Sequence, residues 1–290
     1  MLVVPLGPGF AAEVRGVGLA DVAASGETYA AVRAAFEQHS VLLFRGQTIT
    51  DESQVAYSRC FGPLELTKVG SLGEGSHFAV LTNLDKDGHV VPPDHRQALV
   101  ARANQLWHTD SSFKATPALA SVLSARIVPD TGGETEFAST RLAWERLPAE
   151  MQQQLQASFA WHDYAHSRGQ IAPQLATAAE RQALPPVRWR MAWRNPGNQR
   201  LAIYVASHAY AIDGMAGETA RALLADLIDQ ATRPEFTYLH RWRAGDVVMW
   251  DNRAILHRGR PWPDHLPRHM MRTTISATEA DGLASVRPAA

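Results

Sequence analysis

Three stretches of this chain carry residues suited to metal chemistry. The first is Trp107-His108-Thr109-Asp110. In an extended strand, residues two apart project to the same face, so the imidazole at 108 and the carboxylate at 110 can converge on one point. A mixed nitrogen and oxygen pair suits Fe(II), Mn(II) or Zn(II), although His-x-Asp alone recurs often by chance. The second is GDVVMWDNRAILHR at 245–258, where an apolar strand ends in a turn at Asp251-Asn252 and a second strand presents His257. A lone histidine there reads as a hydrogen-bonded core or edge residue. With His108 and Asp110 it completes two imidazoles and one carboxylate. Three protein ligands on one face of an iron leave three positions open, as many as bidentate 2-oxoglutarate plus O₂ fill. The third is the run RHMMRTTIS, in which Arg268 follows His257 by eleven residues and Arg272 by fifteen. Read as a strand, it turns both arginines to one side, about 13 Å apart at a rise of roughly 3.3 Å per residue. Guanidinium groups grip carboxylates with two parallel hydrogen bonds, so this pair could hold two different anions. The bland alternative is an exposed edge strand with solvated arginines.

These side chains need elements to position them. Helical spacing of Tyr29, Val32 and Phe36 predicts a helix over 27–38. VLLFR at 41–45 is a short strand closed by Gly46, and Thr50 reads as the N-cap of a second helix, DESQVAYSRCF. FAVLTN at 78–83 reads as a strand, and the turn-rich DKDGHVVPPDHR after it as a mobile loop of the kind that lies over a site. Strand signals follow at 119–127 and 135–138, with a helical segment over 141–158. The polar, Pro-broken stretch 163–186 is too long for a simple connection, which makes it functional or disordered. Strands are predicted at 187–193 and 201–205, and a helix near 217–231. The tail alternates again in FTYLH, DVVMW, AILHR and HMMRTTIS. Many short strands with a few helices argue for a mainly β sandwich or barrel with helical cover. No composition shift marks a boundary, so 1–290 reads as one domain with insertions.

Bulk properties remove other classes. Lys plus Arg number 28 against 29 Asp plus Glu, a formal charge of −1, which gives nucleic-acid binding no global support. Cys60 is the one cysteine, which rules out an internal disulfide and a Cys-rich zinc site and suits a reducing compartment. The opening MLVVPLGPGFAAEVRG lacks the pattern of a signal peptide, and no apolar run reaches membrane length. The expectation is a cytoplasmic protein that acts on a small molecule, with no nucleic-acid or membrane partner. Self-association into a homo-oligomer is left open, with the 215–235 helix as a candidate surface.

The motifs around these residues resemble the taurine/2,4-dichlorophenoxyacetate (TauD/TfdA) family of Fe(II)/2-oxoglutarate-dependent dioxygenases, and within it the 2,4-dichlorophenoxyacetate type. The resemblance starts at HSVLLFRGQTIT (39–50) and FGPLE (61–65). It is densest in ANQLWHTDSSF (103–113), PDTGGETEF (129–137) and GDVVMWDNRAILHRGRPW (245–262). It implies a double-stranded β-helix, or jelly-roll, core with helices and a lid-like loop insertion. It implies iron ligands at His108, Asp110 and His257, and places Thr135 and Arg268 on the distal carboxylate of 2-oxoglutarate. Arg272 matches the position that grips the substrate's acidic group, Lys68 a lysine on the phenoxyacetate carboxylate, and Trp250 an aromatic near the iron. Each has a plain structural alternative: a strand threonine at 135, a solvated loop cation at 68, a core residue at 250. The chain departs from the pattern where His89 replaces a second substrate-side lysine, and 163–182 matches loosely. His208, in ASHAYAI, falls in a similar His-Ala stretch without an assigned role.

The chemistry so implied is hydroxylation of a small anionic substrate with 2-oxoglutarate and O₂, yielding succinate and CO₂. If the attacked carbon bears an aryl ether oxygen, the product collapses to a phenol and a carbonyl acid. An aryloxyalkanoic acid is the expected substrate, whether a herbicide or a plant-derived acid. Alkylsulfonates such as taurine, alkyl sulfates and other small carboxylates are the alternatives. Two other classes share parts of the pattern. A metal-dependent hydrolase or isomerase would use the same ligands without consuming O₂, and a non-catalytic binding protein would bind without turnover.

Overall fold

The computed structural model describes residues 1–7 and 9–288. Its centre is a seven-stranded sheet in which Val41–Phe44, Val247–Asp251, Ala118–Ile127 and His269–Ser276 lie side by side. All of the sheet's pairings are antiparallel except that of Ala12–Arg15 with Val41–Phe44. Val41–Phe44 and Val247–Asp251 are buried along their whole length because both of their faces are covered, which turns an alternating pattern into a continuous apolar one. On one face Val41, Leu43, Val248 and Trp250 pack with Leu123, Phe137 and Ile255 toward a second sheet. On the other, Leu42, Phe44, Val247 and Met249 meet Phe36, Tyr57 and Phe61 of the helices Gly26–His39 and Asp51–Phe61.

The second sheet holds Thr237–His240, Thr135–Ser139 and Ile255–Gly259, all antiparallel. The chain crosses repeatedly between the two sheets: 118–127 in the large one, 135–139 and 237–240 in the small one, then 247–251 large, 255–259 small and 269–276 large. That alternation winds the strands into a jelly roll. The helix Gly217–Ala231 covers the small sheet, its Leu224 and Leu227 packed in one cluster with Ala138 and Leu256.

Most expected elements sit where the sequence placed them, including the Thr50 cap, whose hydroxyl accepts from Ser53 N at 3.1 Å. Three differences bear on the site. The 141–158 segment is two helices, Thr140–Arg146 and Ala149–Ala157, parted at Leu147-Pro148. The 163–186 stretch is ordered around two short helices, Tyr164–Gly169 and Ala178–Ala183. A helix, Arg96–Ala103, follows the expected loop.

Among the described residues, no helix is long and apolar enough to cross a membrane.

Candidate active site

His257 lies on Ile255–Gly259, directly after the turn that leaves Val247–Asp251. That turn is held hard. Arg253 is fully buried and donates to Asp251 Oδ1 at 2.9 Å and to Glu37 Oε2 at 2.8 Å, tying it to the Gly26–His39 helix. Asn252 staples the 107–110 segment on top. Its Oδ1 accepts from Asp110 N and from Trp250 Nε1, each at 3.0 Å, its Nδ2 donates to Ser121 Oγ, and its carbonyl accepts from Thr109 Oγ1 at 2.7 Å. His108 is not in a regular strand. It exchanges backbone hydrogen bonds with His257 in an isolated bridge, and Asp110 sits in the turn beyond. The two side chains still converge, because the bridge sets the imidazoles side by side, with ring centroids 4.1 Å apart.

One ligand atom from each of His108, Asp110 and His257 lies within 4.8 Å of the other two. His257 Nε2 is 3.6 Å from Asp110 Oδ2, and His108 Nε2 is 4.0 Å from Asp110 Oδ1. His108 Nδ1 is 2.7 Å from Leu106 O, which puts its proton on Nδ1 and leaves Nε2 as a lone-pair donor. Burial holds both imidazoles below their ordinary range, so they are neutral. Burial alone would raise the Asp110 carboxyl, but the facing Arg272 guanidinium and the two histidines outweigh it and hold it well below the usual carboxylate range. Ser121 Oγ donates to Asp110 Oδ2 at 2.6 Å, and Arg272 Nη1 donates to Oδ1. Two neutral imidazoles and an ionised carboxylate around one point are the donor set that a divalent first-row metal takes. The residues therefore fit Fe(II).

The triad opens on a cavity of about 510 Å³. Thr135, Trp250, Arg268, Arg272 and Lys68 all line it. The Trp250 ring packs 4.6 Å from His257. Thr135 Oγ1 accepts from Trp242 Nε1 at 2.9 Å, which leaves the threonine proton free to be donated. Arg268 is buried, with its guanidinium 5.2 Å over the Trp262 ring and its Nε without a partner. Burial lowers it to about 10, so it stays a cation at neutral pH. Its backbone is pinned on both sides, N to Asn83 Oδ1 at 2.8 Å and O to Thr82 Oγ1 at 2.9 Å.

The paired glycines of PDTGGETEF make room for this arrangement. Gly132 has φ +74°, and a Cβ there would stand 2.6 Å from Pro261 O. Gly133 has φ +70°, and a Cβ would press 3.3 Å from Arg268 Nε. Gly132→Ala should therefore cost about 1–3 kcal/mol, through left-handed strain and the displaced 261–262 backbone. Urea unfolding reads this as a lowered midpoint; an unchanged midpoint would mean the loop yields freely.

Of the DKDGHVVPPDHR stretch, only the last two residues, His95 and Arg96, line the cavity. Residues 85–89 form an exposed turn in which Asp85 accepts from the Asp87 and His89 amides, and His89 itself is solvent-exposed beside Asp85. The cover comes instead from residues 65–77, the Arg96–Ala103 helix and Tyr164–Gly169. Fully buried Glu180 joins them: it accepts from Lys68 Nζ at 2.7 Å, Arg96 Nη2 at 2.8 Å and Tyr164 OH at 3.2 Å. His208 is buried, its Nδ1 3.3 Å from Ser112 Oγ and its ring 4.7 Å from Phe113. Ser121, Trp242, Arg168 and Glu180 were not singled out in the sequence, and Asn252 was named only for its turn. The one available signal was Asn252, which reads only as a turn residue until its partners are known.

Comparison with known proteins agrees with this geometry. Residues 2–274 match the profile of the family described as "Taurine catabolism dioxygenase TauD, TfdA family". The alpha-ketoglutarate-dependent 2,4-dichlorophenoxyacetate dioxygenase of Cupriavidus pinatubonensis is 40% identical over 275 residues, covering 93% of this chain and 96% of its own. The (S)-phenoxypropionate/alpha-ketoglutarate-dioxygenase of Sphingobium herbicidovorans is 32% identical, with 97% of each chain covered. The crystal structure of AAD-2 in complex with Mn(II) and N-oxalylglycine superposes with a TM-score of 0.89 at 37% identity, covering 97% of this chain and 99% of that one. A jelly roll, a His-Asp-His triad at its open end and a profile match along nearly the whole length lead to one conclusion: this chain belongs to the TauD/TfdA family of dioxygenases.

Proposed function

We propose that residues 1–290 work as one Fe(II)- and 2-oxoglutarate-dependent dioxygenase domain that hydroxylates an aryloxyalkanoic acid beside its ether oxygen. The carrying observation is that the triad shares its cavity with Arg268, a buried cation that has no carboxylate partner among the described residues. His108, Asp110 and His257 would hold the iron. When bound, iron with 2-oxoglutarate and O₂ supplies the oxidant that hydroxylates an aliphatic C–H bond, with succinate and CO₂ as co-products. Arg268 and the Thr135 hydroxyl take the far carboxylate of 2-oxoglutarate, a charge-assisted contact in a dry site that fixes the co-substrate's orientation. Arg272 and Lys68 face the substrate's anionic head. Ser121 and Asn252 keep Asp110 aimed, and Trp250 walls the metal side. Hydroxylation next to an aryl ether oxygen leaves a product that collapses to a phenol and a carbonyl acid. The names of the 2,4-dichlorophenoxyacetate and phenoxypropionate relatives support this substrate class. The single half-buried thiol at Cys60 suits the cytoplasm.

The test is anaerobic loading with Fe(II), then exposure to O₂ with phenoxyacetates, phenoxypropionates, taurine and an alkyl sulfate in turn. Succinate release should rise with the aryloxyalkanoates and be matched by phenol. Succinate coupled to sulfite or sulfate release instead would move the substrate class. Turnover without O₂ uptake would move the reaction class to hydrolysis or isomerisation.

A further inference from the structure

Six cationic side chains line the cavity: Lys68, Arg96, Lys114, Arg168, Arg268 and Arg272. Four already face a carboxylate. Lys68 and Arg96 hold Glu180, Lys114 holds Glu65, and Arg272 holds Asp110. Of these six, only Arg168 and Arg268 have no acid partner among the described residues. Arg168 is 8% exposed, its Nε is buried without a hydrogen bond, and neither terminal nitrogen has a protein acceptor. A buried guanidinium without a partner is costly to the fold, and proteins keep such local conflicts chiefly at functional sites.

Its placement is built. The Tyr164–Gly169 helix is capped by Asp163, whose side chain accepts from Ala165 N at 2.8 Å, and Asp163 N donates to His208 O at 2.8 Å. The Arg168 guanidinium carbon sits 4.6 Å from the centroid of the Tyr164 ring, and that ring is locked by the hydrogen bond from its hydroxyl to Glu180. Phe113 continues the wall, 5.1 Å from Tyr164 and 4.7 Å from His208. An unpaired cation thus stands over the Tyr164 ring, next to Phe113, in the cavity that also holds His108 and His208.

Two anionic ends must be held at once under the function proposed above, on which this step rests: the far carboxylate of 2-oxoglutarate and the head of the primary substrate. Arg268 takes the first with Thr135. We propose that Arg168 is the principal charge that recognises the second, with the substrate's aryl ring against Phe113. Arg272 and Lys68 contribute less, because each shares its charge with Asp110 or Glu180. Specificity for an anionic aryl substrate then lies in the short Tyr164–Gly169 helix.

The experiment is calorimetric binding to anaerobic protein loaded with Fe(II) and 2-oxoglutarate. The probes are 2,4-dichlorophenoxyacetate and its uncharged amide. Arg168→Gln should weaken the acid by about ten- to a hundredfold, the scale of a lost charge-assisted hydrogen bond, and leave the amide within about twofold. Its affinities for 2-oxoglutarate and Fe(II) should match the wild type, which also reports an intact fold. Arg168→Lys should fall between, and serves alone if the glutamine variant does not fold. Arg272→Gln, by contrast, should weaken Fe(II) as well. Wild-type affinity of Arg168→Gln for the acid, or equal losses for acid and amide, would overturn the assignment and leave the proposed function standing. Failure of the wild type to bind any aryloxyalkanoate would overturn both.

Discussion

Replacing His257 or Asp110 by alanine is expected to remove O₂-coupled succinate formation by on the order of a thousandfold or more, because His108, Asp110 and His257 make up the one candidate metal-holding group among the described residues. The two variants should differ in a second respect. His257 is neutral, so its removal leaves no charge behind. Asp110 is the carboxylate that faces Arg272, and both side chains are largely buried. Asp110→Ala strands a guanidinium and should destabilise the metal-free protein by about 3–5 kcal/mol. Fe(II) titration read by calorimetry, together with urea unfolding of the metal-free proteins, separates these effects. Wild-type turnover in either variant would remove the triad from the chemistry, and equal metal-free stability of Asp110→Ala and the wild type would show that Arg272 finds another partner.

Arg268→Ala carries the second large effect. The guanidinium is buried and has no acid partner among the described residues, so its charge is available in full to the co-substrate. Loss of a desolvated, two-pronged contact of this kind costs affinity on the order of a hundredfold. The KM for 2-oxoglutarate should rise by that factor, while the substrate KM moves by about threefold or less, since uniform loss of co-substrate binding leaves the other pocket intact. Arg268→Lys should recover only part of the loss, because a point charge lacks the planar fork. A variant whose substrate KM rises as much as its 2-oxoglutarate KM would show that Arg268 serves both ligands.

The site was legible in the sequence wherever local rules and tertiary structure agree. GDVVMWDNRAILHR announces two apolar strands around a turn, and the protein folds it so, because Asp251 and Asn252 are turn formers flanked by residues buried on both sheet faces. His108 and Asp110 were correctly paired for a partly different reason. They converge through the bridge to His257 and the Asn252 staple, and a strand period plays no part. The Arg96–Ala103 helix escaped notice because it has no apolar face for periodicity to register; Ala103 is its one buried residue. Arg168 and Glu180 escaped for another reason. Glu180 takes its meaning from Lys68 and Arg96, far away in the chain, and Arg168 from a cavity assembled by distant segments, and no spacing rule reaches that distance. His89, which stands where the chain departs from the family pattern, lies in an exposed turn and is not among the residues lining the cavity.

Glu180 has a kinetic consequence. Loop 65–77, the Arg96–Ala103 helix and Tyr164 are fastened at one shared carboxylate. Loss of that carboxylate is therefore expected to loosen all three at once. Ligand entry and product escape are then both expected to quicken, through a residue that does not line the cavity.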